Sequence, residues 1–460
     1  MNKRFIIEIM LLLAVVAGLW SCYDDKGNYD YKNLISLQID TLGIKAEQTA
    51  YQFENFNVPV EVKYAGDEKN LSYEWKIYPQ DPKKDDDVQK YDSAVVLYTK
   101  AVFDTIIYEV PGAYYLTLTV TDNVQDLKEY FTMKLNVETL VSRGLCVMDE
   151  KNGLYDLNII KSAKLLTDIT ASEEQVYYHV YSGVNDTEVT NGKFLGRGTY
   201  SDNNVLYFFT ENGGLKLDVN TYEIMSNDFT SWFSFPMSVT AAPEAYVITS
   251  RPLEMIVTNG LVYVWDHRSM GVTTFGDRLD GDYKAAPYLP NISTSSFSSV
   301  IFDMKNKRFA PINQFGSNVG TFESTSTGEF DLNDIGSTKE LKFMENGFNS
   351  YTYAVFYDTE TSGYSLYVMD FSGATATPVK KYSMADCEGL TESSLYTFGN
   401  QGNVCFYASG SDLYQYKYAS TNKGAVVHSF SGETITGVEV FKNSGHAKDG
   451  KLLIVYRVWR

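Results

Sequence analysis

From residue 141 onward the chain is a succession of short apolar segments, each closed by a turn rich in Gly, Asn or Asp. Strands that recur roughly every 40–50 residues are typical of a β-propeller, in which each repeat builds one blade. The sequence therefore predicts an all-β region over residues 140–460 with about seven blades, within a range of six to eight. The related segments are Gly153–Leu157, Gly214–Asp218, Leu261–Asp266, Val300–Asp303, Ser365–Asp370, Asp412–Tyr416 and Lys451–Tyr456.

The two ends of this region are expected to meet, because an open ring would leave two unpaired sheet edges. Residues 144–148 and 451–458 are the apolar segments nearest the two ends. The second is apolar almost throughout, as expected of a strand buried on both faces. We expect the two segments to be neighbours, and whether the last blade is complete is left open.

Residues 33–139 show a different pattern, in which apolar and polar positions alternate over several short runs. In the clearest run, Leu116, Leu118 and Val120 share one face and the threonines between them share the other. Short alternating runs separated by turns are typical of an immunoglobulin-like β-sandwich. We therefore predict a sandwich over residues 33–139, followed by the propeller.

The first 21 residues have the features of a secretory signal peptide. Lys3 and Arg4 precede an apolar stretch, residues 9–20, that is too short to span a bilayer comfortably. The stretch ends at Leu19-Trp20-Ser21-Cys22, which resembles a lipobox. Cys22 is therefore the predicted lipidated N-terminus of the mature chain. A cleaved signal followed by an unmodified Cys22 is the alternative.

Two acidic residues, Asp24 and Asp25, follow Cys22 closely. In lipoproteins of Bacteroidota, an acidic pair at this place resembles a signal for export to the cell surface. A solvated tether over residues 22–32 is the alternative interpretation.

The net charge of the chain restricts its partners. It is −19 at pH 7, and removal of residues 1–21 makes it one unit more negative. A polyanion of this size is repelled by nucleic acid and by anionic headgroups. Nucleic-acid binding is therefore excluded, and we expect membrane contact through the lipid anchor only.

Three stretches resemble domains of the polycystic-kidney-disease (PKD) family. Val110–Asn123 is similar to their closing strand pair, and Tyr73-Glu74-Trp75 to the strand that carries the core Trp. Ser21–Tyr31 resembles the start of PKD-like surface lipoproteins. The Gly-Asp-Gly turn that usually follows the core Trp is replaced here by Tyr78-Pro79-Gln80-Asp81. The resemblance implies an accessory lipoprotein of a SusC/SusD-type outer-membrane importer, which captures glycan or oligopeptide.

Catalytic and metal-binding patterns are scarce. The four His residues form no His-Glu-x-x-His or Cys/His zinc pattern, and there is no Gly-x-Ser-x-Gly elbow. We therefore predict that the protein is not an enzyme and has no cofactor. The three remaining Cys are an odd set, expected in the core: Cys146, Cys387 and Cys405.

Calcium is the one ion that the sequence leaves open. Asp277–Asp282 and Asp331–Gly336 place carboxylates at ligand-like spacing. Neither segment carries the terminal bidentate Glu of a full calcium loop. Solvated turns are therefore the preferred interpretation, with calcium as the alternative.

Aromatic side chains in turns are the candidate ligand contacts, because they stack on sugar rings and pack on peptide side chains at modest entropic cost. The alternative for each is a core position, since large residues fill the space between blades. Three clusters are candidates: Trp232, Phe233 and Phe235; Tyr283 and Tyr288; and Tyr177 and Tyr178 beside His179.

The leading functional hypothesis is a lipoprotein anchored in the outer membrane, exposed at the cell surface, that binds glycan or oligopeptide without catalysis. A structural partner that docks on the importer and has no ligand affinity is the second hypothesis. A surface hydrolase is the third. The residues do not choose between glycan and peptide.

Overall fold

The computed structural model describes residues 35–80, 94–139, 144–200, 203–235, 242–250, 252–292, 296–323 and 328–459. The predicted signal peptide, Cys22 and the tether of residues 22–32 lie outside these ranges. The described chain consists of strands and turns, with one α-helix of six residues, Val180–Asn185. None of its helices has the length and apolar character needed to span a membrane.

Packing divides the described residues into two compact units. The first contains the described residues up to Ala50, together with those of Asn55–Thr105 and Gly112–Asn136. The second contains Tyr51–Glu54, Ile106–Pro111 and the described residues from Val137 onward.

The described strands of the first unit form one large sheet and two strand pairs. The sheet has the order β2-β9-β8-β5-β6, and the pairs are β1–β4 and β3–β7. The strands are β1 (Leu37–Asp40), β2 (Glu47–Tyr51), β3 (Asn55–Val58), β4 (Glu61–Tyr64), β5 (Leu71–Pro79), β6 (Val95–Tyr98), β7 (Phe103–Ile106), β8 (Gly112–Asp122) and β9 (Leu127–Glu138).

Trp75 lies at the centre of the first unit's core. It is fully buried on β5, opposite Leu118 of β8, and its Nε1 donates a hydrogen bond to the Lys100 carbonyl at 3.0 Å. Leu116, Leu118 and Val120 are fully buried as well, so the alternation along β8 buries the face that the sequence predicts.

The described strands of the second unit form seven sheets. In chain order, the first sheet contains β10 (Leu145–Lys151), β11 (Leu154–Lys161), β12 (Gln175–Tyr177) and β13 (Val189–Thr190), the second β14 (Gly192–Tyr200), β15 (Asn203–Thr210), β16 (Gly213–Asp218) and β17 (Ile224–Ser226), and the third β18 (Pro243–Ile248), β19 (Leu253–Thr258) and β20 (Leu261–Asp266). The fourth sheet contains β21 (Phe297–Asp303) and β22 (Arg308–Asn313), and the fifth β23 (Lys339–Asn346), β24 (Thr352–Asp358), β25 (Gly363–Asp370) and β26 (Thr377–Ser383). The sixth sheet contains β27 (Leu395–Phe398), β28 (Cys405–Ser409), β29 (Asp412–Tyr416) and β30 (Gly424–Ser429), and the seventh β31 (Glu433–Val440) and β32 (Leu453–Trp459).

Consecutive strands within these sheets are antiparallel neighbours, except that β13 pairs with β11 rather than with β12. The sheets contact one another through their first strands. β14 contacts β18, β23 contacts β27, and β27 contacts β31. A series of antiparallel sheets packed in this way is the arrangement of a propeller. The all-β prediction, with a propeller-like second region, is confirmed, whereas the number of blades stays a prediction.

Aromatic rings fill the space between adjacent sheets. Phe302 of the fourth sheet meets Phe356 of the fifth at a centroid distance of 5.1 Å, and Tyr353 stacks on Phe398 of the sixth at 4.8 Å. All four are buried. Much of the aromatic content of the chain therefore serves packing between sheets.

The third sheet has an irregular outer edge formed by residues 275–279. The amide of Gly276 donates to the Val264 carbonyl at 2.9 Å, and that of Leu279 to the Val262 carbonyl at 2.8 Å. This edge also pairs with the segment that follows the second sheet, because Phe233 and Phe275 form a parallel bridge. The loop of residues 267–274 therefore spans from β20 to an edge held by two sheets.

The first and last strands of the second unit are close together. Burial raises the pKa of Tyr456 on β32, and Glu439 and the Cys146 thiol of β10 raise it further. Among the described residues, however, β10 pairs with β11 and β32 with β31, and no ladder joins β10 to β32. The two predicted end segments therefore belong to separate sheets, and the effect of Cys146 on Tyr456 is what relates them.

Candidate functional site: the Met270 surface and the polar cluster beneath it

Trp232 and Phe233, two of the predicted ligand contacts, lie in the core between the second and third sheets. Trp232 is 2% exposed and packs on Tyr207, with ring centroids 5.4 Å apart. Phe233 packs edge to face on Tyr263 at 5.1 Å. Neither ring is accessible to a ligand, so both residues occupy core positions, as in the alternative interpretation of the sequence. Phe235, two residues on, is 58% exposed.

The second predicted pair, Tyr283 and Tyr288, is also used internally. The Tyr283 hydroxyl accepts from the Val262 amide at 3.1 Å and donates to the Leu279 carbonyl at 3.2 Å. The half-buried Tyr288 donates to the Lys342 carbonyl at 2.6 Å. These hydroxyls hold the second unit together, and their positions favour packing over ligand contact.

Tyr177 and Tyr178 point to opposite environments. Tyr177 is buried, and its ring meets that of Phe53 edge to face at 6.3 Å. Tyr178 is exposed. His179 Nδ1 lies 3.3 Å from Asp156 Oδ2. The three predicted clusters belong to separate cores, so the structure does not bring them together in one site.

A cluster of polar side chains that the sequence did not predict lies beside Trp232. Its centre is Glu254 on β19. Oε2 of Glu254 accepts from the Tyr207 hydroxyl at 2.7 Å, and Oε1 lies 2.8 Å from Nε2 of His267. The side chains of Glu254 and His267 are 3% and 4% exposed. Burial and the neighbouring carboxylate raise the pKa of Tyr207, which keeps its hydroxyl a hydrogen-bond donor.

Two glycines of β14 make room for this carboxylate and its surroundings. A Cβ atom at Gly198 would lie 2.9 Å from Oε1 of Glu254, and one at Gly196 would lie 2.7 Å from the Tyr246 ring. The Gly-Arg-Gly sequence at residues 196–198 therefore lets β14 approach the third sheet closely.

Lys216 enters the same region from β16 and places its ammonium against aromatic faces. Nζ lies 4.9 Å from the ring centre of Trp232, 5.4 Å from that of Trp265 and 5.8 Å from that of Tyr207. Contacts of this kind stabilise a partly desolvated cation. Burial lowers the pKa of Lys216, and the charge of Glu254 opposes that effect.

The polar cluster fixes the loop of residues 267–274 from below. The His267 ring lies on that of Trp265 at a centroid distance of 4.2 Å, and Trp265 Nε1 donates to the Val272 carbonyl at 3.1 Å. At the far end of the loop, the Ser234 and Thr274 hydroxyls are 2.7 Å apart. The loop is therefore tied to the second and third sheets at several points.

The outer side of this loop region exposes apolar side chains that we call the Met270 surface. It comprises Met225, Phe235, Met270 and Val272, which are 57%, 58%, 99% and 43% exposed. Hydrogen bonds connect the segments that carry them, since Trp232 Nε1 donates to Ser226 Oγ at 3.1 Å. Grouped exposed apolar side chains on a folded domain mark interaction sites.

The candidate calcium segment Asp331–Gly336 uses its carboxylates within a turn, whereas Asp282 of the other segment pairs with Lys305. Asp331 accepts from the Asn333 amide at 2.9 Å, and Asp334 from the Gly336 amide at 3.0 Å. Within the described ranges, no group of three or more His, Cys, Asp or Glu side chains is arranged to hold a metal ion.

The three Cys that follow Cys22 in the sequence are free thiols in the second unit. Burial raises the pKa of Cys146 and that of Cys387 to about 12, and it raises the pKa of Cys405 as well. The thiolate form, which is the reactive one, is therefore disfavoured at each position.

Comparison with known families gives one match. Residues 22–191 match the model of the PKD-like family. The match begins at Cys22 and extends through β13, so this PKD-like region includes the first sheet of the second unit. The resemblance to PKD-like proteins is confirmed over these residues. No curated protein matches the chain.

Several solved structures are similar to this chain at low sequence identity. A quinonprotein alcohol dehydrogenase-like protein from Bacteroides thetaiotaomicron is 13% identical, with 90% of this chain and 88% of that chain covered and a TM-score of 0.47. The extracellular domain of a hybrid two-component system from B. thetaiotaomicron is 10% identical (58% and 30% covered, TM-score 0.36). The WD40 domain of SCAP from fission yeast is 11% identical (68% and 83% covered, TM-score 0.32).

Proposed function

We propose that the protein is a lipoprotein anchored in the outer membrane through Cys22, exposed at the cell surface. There it binds ligand, without catalysis, for a SusC/SusD-type importer. The N-terminal pattern supports the anchor, and the PKD-like match that begins at Cys22 agrees with a mature chain starting there. The acidic pair Asp24 and Asp25 supports outward exposure.

One observation carries the binding role. The second unit exposes large apolar side chains on the loop of residues 267–274, which internal hydrogen bonds hold in place, and on two segments hydrogen-bonded beside it. Met270 is 99% exposed, whereas His267 and Trp265, close by in the chain, are buried and engaged with Glu254 and the Val272 carbonyl. A pre-organised apolar surface binds with a small entropic cost of ordering. The Met270 surface is thus the ligand contact that we propose.

The polar cluster supports a role without catalysis. A catalytic acid or base has to come within hydrogen-bonding reach of its substrate. Glu254 and His267 contact each other in the interior, and the Tyr207 hydroxyl donates a hydrogen bond to the other oxygen of the Glu254 carboxylate. Their geometry suits a structural network that holds the loop.

The anchor is tested by the Cys22→Ala variant in a Bacteroidota host. We expect wild-type protein in the membrane fraction, accessible to protease added to whole cells, and the variant in the soluble fraction. Asp24→Asn with Asp25→Asn should keep the lipid but lose protease accessibility. Lipid labelling that persists in Cys22→Ala would refute the assignment of the anchor.

The binding role is tested with the mature, non-lipidated chain on arrays of oligosaccharides and peptides. We expect binding that the Met270→Ser, Phe235→Ser double variant weakens. Val124→Ser, at an exposed apolar position of the first unit, is the matched control. Retention of the importer without affinity for either ligand class would select the docking hypothesis, and release of products would select the hydrolase.

A further inference from the structure

We propose that the Met270 surface binds an extended peptide segment whose large apolar side chains are flanked by Lys or Arg. This inference rests on the proposed binding function and names the ligand class of the same surface. It follows from the chemical groups that the surface exposes, from the charges around it and from the way its loop is held.

The exposed groups suit apolar side chains better than sugar rings. Met225 and Met270 present flexible thioethers, and Val272 presents methyl groups. Thioether side chains adapt their shape to apolar partners. A sugar requires hydrogen-bonding groups for its hydroxyls beside a ring on which to stack. The Trp232 ring, which would be the best platform nearby, is buried under Lys216.

The charges around the surface favour a cationic partner. Glu223 and Asp228, on either side of Met225 in the chain, are exposed, as is Asp277 at the outer edge of the third sheet. Within the described part of the chain, none of these three carboxylates forms an ion pair. Hydrogen bonds from Thr230 lower the pKa of Asp228, so it stays ionised at neutral pH.

Of the two arginines in the same region, Arg268 is already paired. Arg268 binds Asp266 through two contacts of 2.8 Å, Nε to Oδ1 and Nη2 to Oδ2. Arg278 is exposed beside Asp277 and offsets the charge of that residue, which leaves Glu223 and Asp228 as the excess negative charge. An apolar centre with an acidic surround is therefore what an approaching ligand meets. A basic apolar peptide is complementary to both features.

The way the loop is held determines how strongly such a peptide binds. His267 is fixed by Glu254, the Val272 carbonyl by Trp265, and Thr274 by Ser234. A peptide that binds this loop does not have to order it first, so less conformational entropy is lost on binding.

The experiment measures fluorescence anisotropy of three labelled peptides with the mature, non-lipidated chain. The first contains Leu, Phe and Met flanked by Lys and Arg. The second keeps the apolar residues and replaces the basic ones with Glu. The third keeps the basic residues and replaces the apolar ones with Ser and Asn. We expect the first to bind at least about tenfold more tightly than the other two.

Variants then locate the site. Met270→Ser combined with Phe235→Ser should weaken the first peptide about tenfold, as loss of central apolar contacts does in other interfaces. Val426→Ser combined with Val427→Ser, on the exposed side of β30, should leave the affinity unchanged. Asp228→Asn with Asp277→Asn should lower the association rate and reduce its dependence on salt.

Four outcomes would overturn the inference. Equal binding of the basic and acidic peptides would remove the charge argument, and unchanged affinity in the Met270, Phe235 double variant would remove the site. If neutral oligosaccharides bind and that variant abolishes their binding, the peptide assignment fails while the proposed function stands. If neither peptides nor oligosaccharides bind, both the inference and the proposed binding function are refuted.

Discussion

The imidazole Nε2 of His267 lies 2.8 Å from Oε1 of Glu254, and both side chains are almost completely buried between the second and third sheets. A buried carboxylate is stable only when its oxygens are hydrogen-bonded, and here Tyr207 satisfies the second oxygen at 2.7 Å. His267 is the first residue of the loop that carries Met270. Stability and loop position therefore depend on the same contact.

Glu254→Ala should destabilise the second unit strongly. It leaves the buried His267 and Tyr207 without their acceptor, and removal of one member of a buried pair costs about 3–5 kcal/mol. Chemical denaturation followed by Trp fluorescence measures the effect. Asp282→Asn, which removes the exposed partner of Lys305, is the control and should change the free energy of unfolding by no more than about 0.5 kcal/mol. If the two variants lower the free energy of unfolding equally, the buried pair of Glu254 and His267 contributes no more to stability than an exposed ion pair.

Trp232→Ala should lower the free energy of unfolding of the second unit. The ring is buried against Tyr207 and Phe229, and loss of a buried Trp costs about 3–5 kcal/mol. Met270→Ser, at an almost fully exposed position, should change stability by less than about 0.5 kcal/mol. Differential scanning calorimetry of the two variants checks both values. A melting temperature unchanged in Trp232→Ala would contradict its core position.

Lys216→Ala should create a cavity that accepts an alkylammonium ion. The variant removes a stem and an ammonium that lie against the rings of Trp232, Trp265 and Tyr207. n-Butylammonium reproduces both groups, so it should raise the melting temperature of the variant above that of the variant in sodium salt at equal ionic strength. Wild type and Lys305→Ala, a variant at an exposed lysine, should show no such rise. A rise shared by all three would indicate a general salt effect.

Asp122 should make the stability of the first unit depend on pH in the acid range. Its carboxylate accepts from the Tyr64 hydroxyl at 2.6 Å and from the Val124 amide at 2.9 Å, and the Tyr64 hydrogen bond contributes most to lowering its pKa to about 2. Because the pKa of Asp122 is lower in the folded state, its ionised carboxylate stabilises the folded state at pH values above the unfolded-state pKa near 3.9. That contribution is lost as the pH falls toward about 2.

The Asp122→Asn variant tests this dependence. Denaturation midpoints measured between pH 5 and about 2, with hydrogen–deuterium exchange of the β8 amides as the probe of the first unit, should fall less steeply than in wild type. Asp104→Asn, at another acidic position of the same unit, should keep the wild-type slope. Identical slopes in all three proteins would exclude Asp122 as the titrating group.

Strand positions were predictable from the sequence because they depend on local alternation. Leu116, Leu118 and Val120 mark β8, and Leu261–Asp266, one of the related segments, coincides with β20. The orientation of Trp232 was not predictable in the same way. Whether a ring at the end of a strand faces the interior depends on its neighbours in space, here Tyr207 and Phe229, and local sequence does not fix those contacts.

The sequence did not predict the candidate site. Aromatic residues are the expected ligand contacts, whereas the most exposed large apolar side chain among the described residues is that of Met270, a non-aromatic residue in a polar turn. The sequence does indicate that Glu254 is unusual, since it is a lone carboxylate in the apolar run Leu253–Val257. Such a residue on a buried strand requires a partner, and its partner His267 follows the next strand.

The double attachment of the loop of residues 267–274 has an evolutionary consequence. Because backbone hydrogen bonds and buried side chains hold both of its ends, the side chains at its tip contribute little to folding. Substitutions at Met270 or Val272 can therefore accumulate without loss of the native state. Related proteins that share this framework can diverge in what they recognise by changing a few tip residues, much as antibodies vary their loops on a constant scaffold.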